Sequence, residues 1–357
     1  METIFWLSVA FIAYVYVGYP ALLGVWSRLV RRSVSAPPRL RGSSSELPGV
    51  SIIIAARNEA PQLPARIDNL LASDYPADRI QIIVASDGST DDTAEALAPY
   101  RGRVELLMLP AEGKAAALNA AVTRATGRIL VFADARQRFA PDAIRQLVAP
   151  FAEPTIGAVS GELQIDASVS TIGDGVGAYW TYEKWLRKRE AIVGSTLGVT
   201  GAIYAMRRRL WQPLPPDTLL DDVLGPMRVV LHGYRVVFEP TARAFDVAAG
   251  DASAELRRKV RTLAGNFQLL ACEPRLLVPV ANPVWLQFMS HKVGRLLVPY
   301  ALAAVFVSSV WLTPTSAWYA TCCAAQLAFY ALAVYGAVLD RRARALPVNA
   351  EVVREAA

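Results

Sequence analysis

Charged residues are scarce in this 357-residue chain, at 19% of the total, whereas hydrophobic residues make up 54%. So apolar a composition excludes an intrinsically disordered chain and a purely soluble protein. The scarcity is concentrated, because residues 3–27 and 296–339 carry no charged side chain. A membrane-spanning helix needs about 20 apolar residues, so the first range predicts one spanning helix and the second predicts two.

Cysteine is also scarce, with only Cys272, Cys322 and Cys323 in the chain. Their spacing fits neither a metal site nor a disulfide framework, so we interpret them as packing residues in a reducing cytosol or membrane. The first apolar range lacks a basic n-region and a small-residue cleavage site, and it is longer than the apolar core of a signal peptide. We therefore expect an uncleaved anchor with its amino terminus outside.

The net charge of +6 would suit a partner such as nucleic acid, but the arginines flank the apolar ranges. They are Arg28, Arg31, Arg32, Arg39 and Arg41 after the first range, and Arg341, Arg342 and Arg344 after the last. This positive-inside pattern predicts that both flanks lie in the cytoplasm, although either cluster alone would also suit a solvated loop. We expect a multi-pass protein of the inner (plasma) membrane that contacts membrane lipid and does not bind nucleic acid.

Between the apolar ranges, short apolar runs alternate with segments of helical length. The runs lie at 50–56, 80–85, 104–109 and 129–133, and the helical segments at 59–72, 90–99 and 114–125. The alternation predicts an α/β fold with a mostly parallel sheet, helices on both faces and right-handed crossovers. Ligands of such sheets bind at the carboxyl ends of the strands, which directs attention to the residues there.

The second half of the chain has a less regular pattern. Residues 222–232 and 253–272 predict helices, residues 234–238 predict a strand, and residues 313–316 predict a turn between the last two spans. Residues 179–190 mix aromatic with charged side chains and could lie along a sheet or along a membrane surface. Residues 283–295 would suit an interfacial helix or an extension of the spanning helix that follows.

The first two strand ends carry polar side chains. Glu59 could accept hydrogen bonds from ligand hydroxyls, whereas Asn58 by itself reads as the cap of the next helix. Asp87 precedes a glycine turn, where it could accept a bond from the N–H of a base. Thr90 or Asp91 would then cap the following helix.

Three later positions carry charge where a ligand would lie. Lys114 opens a helix, which favours an anion such as a diphosphate but also suits an exposed surface lysine. Asp134 at the fourth strand end could hold a divalent cation. Asp221 and Asp222 open another helix, either as complements of its dipole or with one as a general base. The run 257–261 is either solvated or places an arginine on a diphosphate.

The order of these segments is more informative than any one of them. The motifs are SIIIAARNE, ASDGSTDDT, GKAAALN, VFADAR, VTGAIYAMRR, LLDDVLGPMRVVLHGYRV and RRKVRT. Over about residues 48–267 the sequence resembles the membrane-anchored family 2 glycosyltransferases, inverting enzymes with the GT-A nucleotide-sugar fold. The resemblance implies a GT-A domain at 49–272, a spanning helix at 1–28, a basic linker at 29–48, an interfacial segment at 273–295, two spanning helices at 296–339 and a cytoplasmic tail at 340–357.

The resemblance also implies roles for the candidate residues. Those on the nucleotide-sugar side are Ala56, Glu59 and Asp87 around the nucleoside, Lys114 and Asp134 near the diphosphate, and Arg261 on the diphosphate. Asp222 would be the catalytic base, and Gly201 and Asp221 would lie on the acceptor side. Asp134 would hold Mg²⁺ or Mn²⁺.

Three departures from the family pattern qualify this. Arg136 replaces the second Asp of the Asp-x-Asp motif, so Asp134 alone would hold the metal or Arg136 would take over part of its charge. Asp221 replaces a Glu. Arg258 and Thr262 replace the Gln and Trp of Gln-x-x-Arg-Trp, which removes the indole that stacks on an acceptor sugar in processive synthases.

The implied activity is transfer of a sugar from a nucleotide-diphosphate sugar, UDP-linked by preference, to a lipid-linked or envelope glycan. The departures favour non-processive transfer, with a processive polysaccharide synthase as the alternative. A silent nucleotide-binding membrane scaffold is the third alternative. The sequence does not identify the sugar, the acceptor or the oligomeric state.

Overall fold

A mixed eight-stranded β-sheet organises the larger part of the chain. The computed structural model describes residues 1–30, 47–166, 174–247 and 252–345. These belong to two units, one formed by Met1–Gly18 with the chain from Leu297 onward and the other by Tyr19–Leu296. Most of the predicted linker at 29–48 and of the predicted tail at 340–357 lies outside the described residues.

The four apolar runs of the first half form parallel strands. They are β1 (Val50–Ala56), β2 (Ile80–Asp87), β3 (Val104–Leu109) and β4 (Ile129–Ala133). β1 pairs in parallel with β2 and β4, and β2 pairs in parallel with β3. Ile52, Ile53 and Ile54 are fully buried. Helices cover both faces here, which is why these strands read as continuous apolar runs.

The second half completes the sheet with strands of both directions. They are β5 (Arg138–Phe139), β6 (Ile156–Asp166), β7 (Ile203–Arg207) and β8 (Arg235–Val247). The order across the sheet is β3-β2-β1-β4-β7-β6-β8-β5. β7 lies antiparallel between β4 and β6, whereas β6 and β8 are parallel. The strand predicted at 234–238 is thus the first part of the longer β8.

The helices are numbered in chain order. They are α1 (Glu2–Leu29), α2 (Leu63–Leu71), α3 (Thr93–Leu97), α4 (Lys114–Arg124), α5 (Ala143–Val148), α6 (Asp174–Val193), α7 (Asp221–Leu231), α8 (Ala252–Cys272), α9 (Trp285–Leu312) and α10 (Ala317–Ala345). Buried side chains of α2 and α5 pack in the core on one face of the sheet. Those of α4 and α7 pack in the core on the other face, so the layers are those predicted.

Two helices begin later than the sequence pattern predicts. α2 begins at Leu63 rather than at 59, and α3 begins at Thr93 rather than at 90. In both cases the residues predicted as the first helical turn belong instead to a loop, one after β1 and the other after β2. Hydrogen bonds join these two loops and keep the residues out of the helices.

Two segments with open interpretations are helical. Residues 179–190 lie within α6. Leu186 and Val193 of α6 share a buried cluster with Tyr19 and Leu23 of α1. Residues 285–295 form the start of one continuous helix, α9, as the extension reading proposed.

Three helices are long and apolar enough to cross a membrane, namely Glu2–Leu29, Trp285–Leu312 and Ala317–Gly336. Their number agrees with the prediction from the uncharged ranges. Within the smaller unit, Phe5 meets Tyr319 edge-to-face with ring centroids 5.0 Å apart. Leu312 belongs to the same buried cluster.

Candidate active site

The carboxyl ends of β1, β2 and β4 meet at one edge of the sheet. The register pairs Ala56 with Ser86 and Ile54 with Ala133, so Asp87, the last residue of β2, and Asp134, which follows β4, flank the end of β1 on either side. Ala56 is buried at the end of β1. The strand-end rule therefore located the edge at which these residues lie.

The loops after β1 and β2 hold each other through side chains. The backbone N–H of Thr90 donates to Asn58 Oδ1 at 2.9 Å, and Ser89 Oγ accepts from the N–H of Asn58 at 3.0 Å. Asn58 adopts a left-handed conformation with φ of 55°, which asparagine tolerates well. The expectation that Asn58 caps the next helix is therefore wrong, because its amide joins two loops instead.

Asp91 also joins these loops rather than capping α3. Its Oδ2 accepts from the N–H of Ala60 at 2.9 Å, and its Oδ1 accepts from the hydroxyl of Thr93. The bonds from Thr93 and then Ala60 lower the pKa of Asp91. α3 instead starts after Asp92, which makes no side-chain cap bond, so neither predicted cap residue serves that role.

Asp87 shapes the loop that precedes α4. The carboxylate is 6% exposed, and Oδ1 accepts from the N–H groups of Glu112 at 2.9 Å and Gly113 at 2.8 Å. Gly88 has φ of +61°, and a Cβ there would lie 2.5 Å from that of Ala111. Both the glycine turn and the carboxylate are therefore needed to bring this loop against the end of β2.

Lys114 lies between two aspartates. Its Nζ is 3.2 Å from an oxygen of Asp221, whose side chain is 6% exposed, and 3.6 Å from an oxygen of Asp134, which is 41% exposed. Burial lowers the pKa of Lys114, but the charges of Asp221, Asp134 and Asp222 outweigh it and raise the pKa above its ordinary value. Lys114 is thus a fixed cation and not a solvated surface lysine.

Asp222 faces the accessible side of this cluster. Burial, and then the charge of Asp221, raise the pKa of Asp222 to about 6. A Cβ on Gly201 would lie 3.4 Å from Asp222 Oδ2, so the absence of a side chain at Gly201 leaves the carboxylate uncovered. Asp222 is only half-buried, and its carboxylate makes no hydrogen bond to any residue that the structure describes. A carboxylate in this state can accept a proton from a bound hydroxyl.

α8 packs against the segment that leads into Asp221. A Cβ on Gly265 would lie 2.6 Å from Leu220 Cγ, so glycine permits the close approach. Gln268 accepts from the N–H of Leu219 and donates to the carbonyl of Asp217. Arg261, an exposed residue, donates from Nη2 to the carbonyl of Leu219 at 3.3 Å. This places a guanidinium close to the start of α7.

Two of the predicted residues lie outside this contact network. Arg136 is exposed and makes no ion pair with any described residue. The backbone carbonyl of Glu59 accepts bonds from Gln62 and Leu63, while its half-exposed carboxylate faces the surface.

Sequence reasoning missed Arg66 of α2. This arginine is 3% exposed, and its guanidinium lies 4.0 Å from the ring centroid of Phe139. Burial lowers the pKa of Arg66 to about 9, and the charge of Asp134 opposes that shift. No local pattern could have indicated it, because an arginine in an amphipathic helix normally lies on the exposed face.

The residues at the site fit a divalent cation only together with a ligand. Among the described residues, no three His, Cys, Asp or Glu side chains are grouped so as to hold a metal ion. The half-exposed carboxylate of Asp134 can offer oxygen to a hard cation. Such a cation takes about six oxygens, so a bound diphosphate would have to supply several of them.

Residues 51–212 match the family model described as Glycosyl transferase family 2. A curated relative, the poly-β-1,6-N-acetyl-D-glucosamine synthase of Staphylococcus aureus strain COL, is 23% identical over 69% of this chain and 60% of its own. The β-monoglucosyldiacylglycerol synthase of Synechocystis sp. is 25% identical over 79% of this chain and 63% of its own. The chain therefore spans about three fifths of the length of these relatives.

A solved structure covers nearly the whole chain. It is the mannosyltransferase PcManGT from Pyrobaculum calidifontis in complex with GDP-Man and Mn²⁺, with a TM-score of 0.71 and 24% identity over 93% of this chain and 92% of that one. The fold is therefore a GT-A-like mixed sheet with helices and three candidate spanning helices, as predicted.

Asp87→Ala should destabilise the domain, because it leaves the N–H groups of Glu112 and Gly113 without their acceptor. We expect a loss of about 1–3 kcal/mol in the free energy of unfolding. Asp87→Asn retains an Oδ1 acceptor and should retain most of the stability. Thermal unfolding of the detergent-purified protein measures both variants, and an equal loss in the two would contradict the hydrogen-bonding role.

Proposed function

We propose that the chain is an inverting glycosyltransferase in which Asp222 is the general base. The observation that carries the proposal is a half-buried carboxylate with a pKa of about 6, beside a lysine fixed between Asp134 and Asp221. This arrangement separates a site for an acceptor hydroxyl from a cationic site for a leaving group. Lys114 and Asp134 lie within residues 51–212, which match the family 2 glycosyltransferase model, and Asp221 and Asp222 follow that range.

The chemical step balances as a single displacement. The acceptor oxygen attacks the anomeric carbon from the face opposite the diphosphate, and its proton passes to an oxygen of Asp222. The bond between the anomeric carbon and the diphosphate breaks, and the diphosphate leaves with the electron pair. The configuration therefore inverts, so that an α-linked donor gives a β-linked product. A positioned general base accelerates such a step by about 10²–10⁴-fold.

Fixed cations would stabilise the charge that develops on the leaving diphosphate. Lys114 is already held in place, so no reorganisation is needed during the reaction. Arg261 beside Leu219 and the exposed Arg136 would add to the positive charge around the diphosphate. Mg²⁺ or Mn²⁺, held by Asp134 and the diphosphate, would neutralise further charge there when bound.

On the donor side, Ala56, Glu59 and Asp87 would surround the nucleoside. Oδ1 of Asp87 already accepts two backbone bonds, which leaves Oδ2 to accept from the N–H of a base. This supports a uridine nucleotide, as the sequence analysis favours. The structural neighbour with GDP-Man and Mn²⁺ supports a guanosine nucleotide as the alternative.

On the acceptor side, Asp221, Asp222 and Gly201 would lie near the reacting hydroxyl. Where processive synthases carry the stacking Trp, Thr262 donates its hydroxyl to the carbonyl of Arg258 at 2.9 Å. With no aromatic platform at this position, we favour non-processive transfer to a lipid-linked or envelope glycan. A processive synthase is the alternative, because one relative is the poly-β-1,6-N-acetyl-D-glucosamine synthase of Staphylococcus aureus. The arginine-rich flanks support a cytoplasmic catalytic domain at the inner membrane.

Asp222→Asn should abolish sugar transfer while nucleotide binding remains nearly unchanged, because the amide keeps the shape of the side chain but cannot take the proton. The measurement is transfer and donor hydrolysis by purified membranes, alongside nucleotide binding. Asp217→Asn is a matched control on the loop before α7. Activity retained in Asp222→Asn would overturn the assignment, and absence of transfer and hydrolysis in the wild type would favour the silent scaffold.

The rate should rise with pH through about pH 6 and level off above pH 7, because Asp222 must be ionised to act. A raised pKa in the folded state means that the folded protein binds the extra proton, so this group favours folding at low pH. The acidic loss of rate is therefore not caused by Asp222-linked unfolding. Lys114 lowers the pKa of Asp222, so Lys114→Met should move the acidic limb of the pH–rate profile to higher pH. A pH profile of kcat/KM tests both expectations, and a flat profile between pH 5 and 7 would contradict them.

Nucleoside diphosphates should bind in a metal-dependent way, and Asp134→Ala should abolish that dependence. A panel of nucleoside diphosphates, each with and without Mn²⁺, measures this by calorimetry and also identifies the donor nucleotide. Asp78→Ala, at an exposed site, is the control. Binding that ignores both the metal and Asp134 would instead assign charge neutralisation to Lys114, Arg136 and Arg261.

A further inference from the structure

Two cations besides Lys114 act electrostatically on Asp222. They are Arg187 of α6 and Lys292 of α9. Neither residue belongs to a motif of the family resemblance, and the proposed reaction does not use them. Arg187 lies within residues 51–212, which match the family model, and Lys292 lies beyond them.

Arg187 is held by the segment that lines Asp222. Its Nη1 donates to Thr200 Oγ1 at 3.0 Å, and the N–H of Thr200 donates to Ser160 Oγ at 2.9 Å. The next residue is Gly201, which lies against the Asp222 carboxylate. The N–H of Val199 donates to the backbone carbonyl of Asp222 at 2.9 Å. The guanidinium of Arg187 is therefore bonded to Thr200, the residue that precedes Gly201, and Gly201 contacts Asp222.

Lys292 lies on α9, which also carries Gln287, whose amide donates to the carbonyls of Glu190 and Ser195 at 3.3 Å each. Phe288 and Val293, which flank Lys292, belong to the same large buried core as Val199 and Val223, which precede Gly201 and follow Asp222 respectively. Lys292 itself is half-buried. The negative charges of Asp222, Glu190 and Glu183 attract it, and Arg187 repels it.

Other acidic groups nearby already have partners. Glu183 pairs with Arg295, Glu190 Oε1 accepts from Tyr19 at 2.9 Å and lies 2.7 Å from His291 Nδ1, and Asp221 pairs with Lys114. Within the part of the chain that the structure describes, Arg187 and Lys292 have no carboxylate at ion-pair distance. Arg187 and Lys292 therefore act on Asp222 without forming an ion pair with it, and Glu190 and Glu183 are the other carboxylates that attract Lys292.

We propose that Arg187 and Lys292 form an anion subsite beside the base, which binds a phosphate group of the acceptor. The proposal rests on the proposed function, because it assigns the acceptor class at the same site. Arg187, Lys292, Gly201 and Asp222 are each partly exposed, so a ligand can reach them. A phosphate carries up to two charges and several acceptor oxygens, which match a guanidinium fork and an ammonium. The acceptor would then be a lipid-borne sugar phosphate or diphosphate rather than a neutral glycolipid.

Binding of phosphate can be tested without turnover. The full chain in neutral detergent is heated with hexyl phosphate, with hexyl glucoside or with inorganic phosphate. We expect hexyl phosphate to raise the Tm, and we expect Lys292→Met and Arg187→Met to abolish the shift. Lys188→Met, an exposed cation on the same helix, is the control that should retain it.

Three results would overturn the subsite. The first is an equal shift with hexyl glucoside, the second is a shift that survives both variants, and the third is a full shift with inorganic phosphate alone. The third result would assign a site for free phosphate instead of a lipid-borne acceptor. Retained nucleotide binding by each variant shows that a lost shift is not a loss of folding.

Transfer assays separate the subsite from a purely electrostatic role on Asp222. The acceptors are an alkyl glycoside and the same sugar on an alkyl diphosphate. We expect a preference of about 10–100-fold in kcat/KM for the charged acceptor, lost in Lys292→Met through a higher KM. A variant that shifts the acidic limb but keeps the preference would contradict the proposal. If the wild type binds no nucleotide, glycosyl transfer fails as the function, whereas the hexyl phosphate result still decides the anion subsite.

Discussion

Lys114 is one ammonium shared by two carboxylates that are distant in sequence, Asp134 after β4 and Asp221 at the start of α7. Breaking a partly buried ion pair by removing one partner is costly, so these elements are constrained to meet. The loop held by Asp87 places the lysine at the first position of α4. The proton affinity of Asp222 depends on the same lysine, because Lys114 opposes the burial and the repulsion that raise its pKa. The donor side and the acceptor side are therefore coupled through a single charge.

Much of the fold follows from local sequence. Strands β1, β3 and β4 have the predicted bounds. For β1 and β4 the reason is that buried parallel strands must be apolar on both faces. The rule on strand ends then located Asp87 and Asp134 before any contact was known. The predicted starts of α2 and α3 were wrong because Asn58 bonds to Thr90, a partner from another loop. Local propensity cannot register such a bond.

Other parts of the site have no local signature. Arg66 is buried beside Phe139 only because α2 and β5 meet in the fold, and Gln268 holds Leu219 only because α8 returns to the start of α7. Arg187 and Lys292 lie in segments whose mixture of aromatic and basic residues is equally typical of a membrane surface. Their relation to Asp222 depends on tertiary structure, because Arg187 precedes Asp222 by 35 residues and Lys292 follows it by 70. The sequence thus indicates the donor side better than the acceptor side.

The position of β7 has a consequence for biosynthesis. β4 ends at Ala133, but the strand that covers its free edge begins only at Ile203. At about 5–20 residues per second, a ribosome needs several seconds to supply that strand. During this interval the nascent sheet has an open hydrogen-bonding edge, while the first apolar helix has already been synthesised. Unpaired edges of this kind promote aggregation, so the yield of folded protein should depend on translation speed between these two strands.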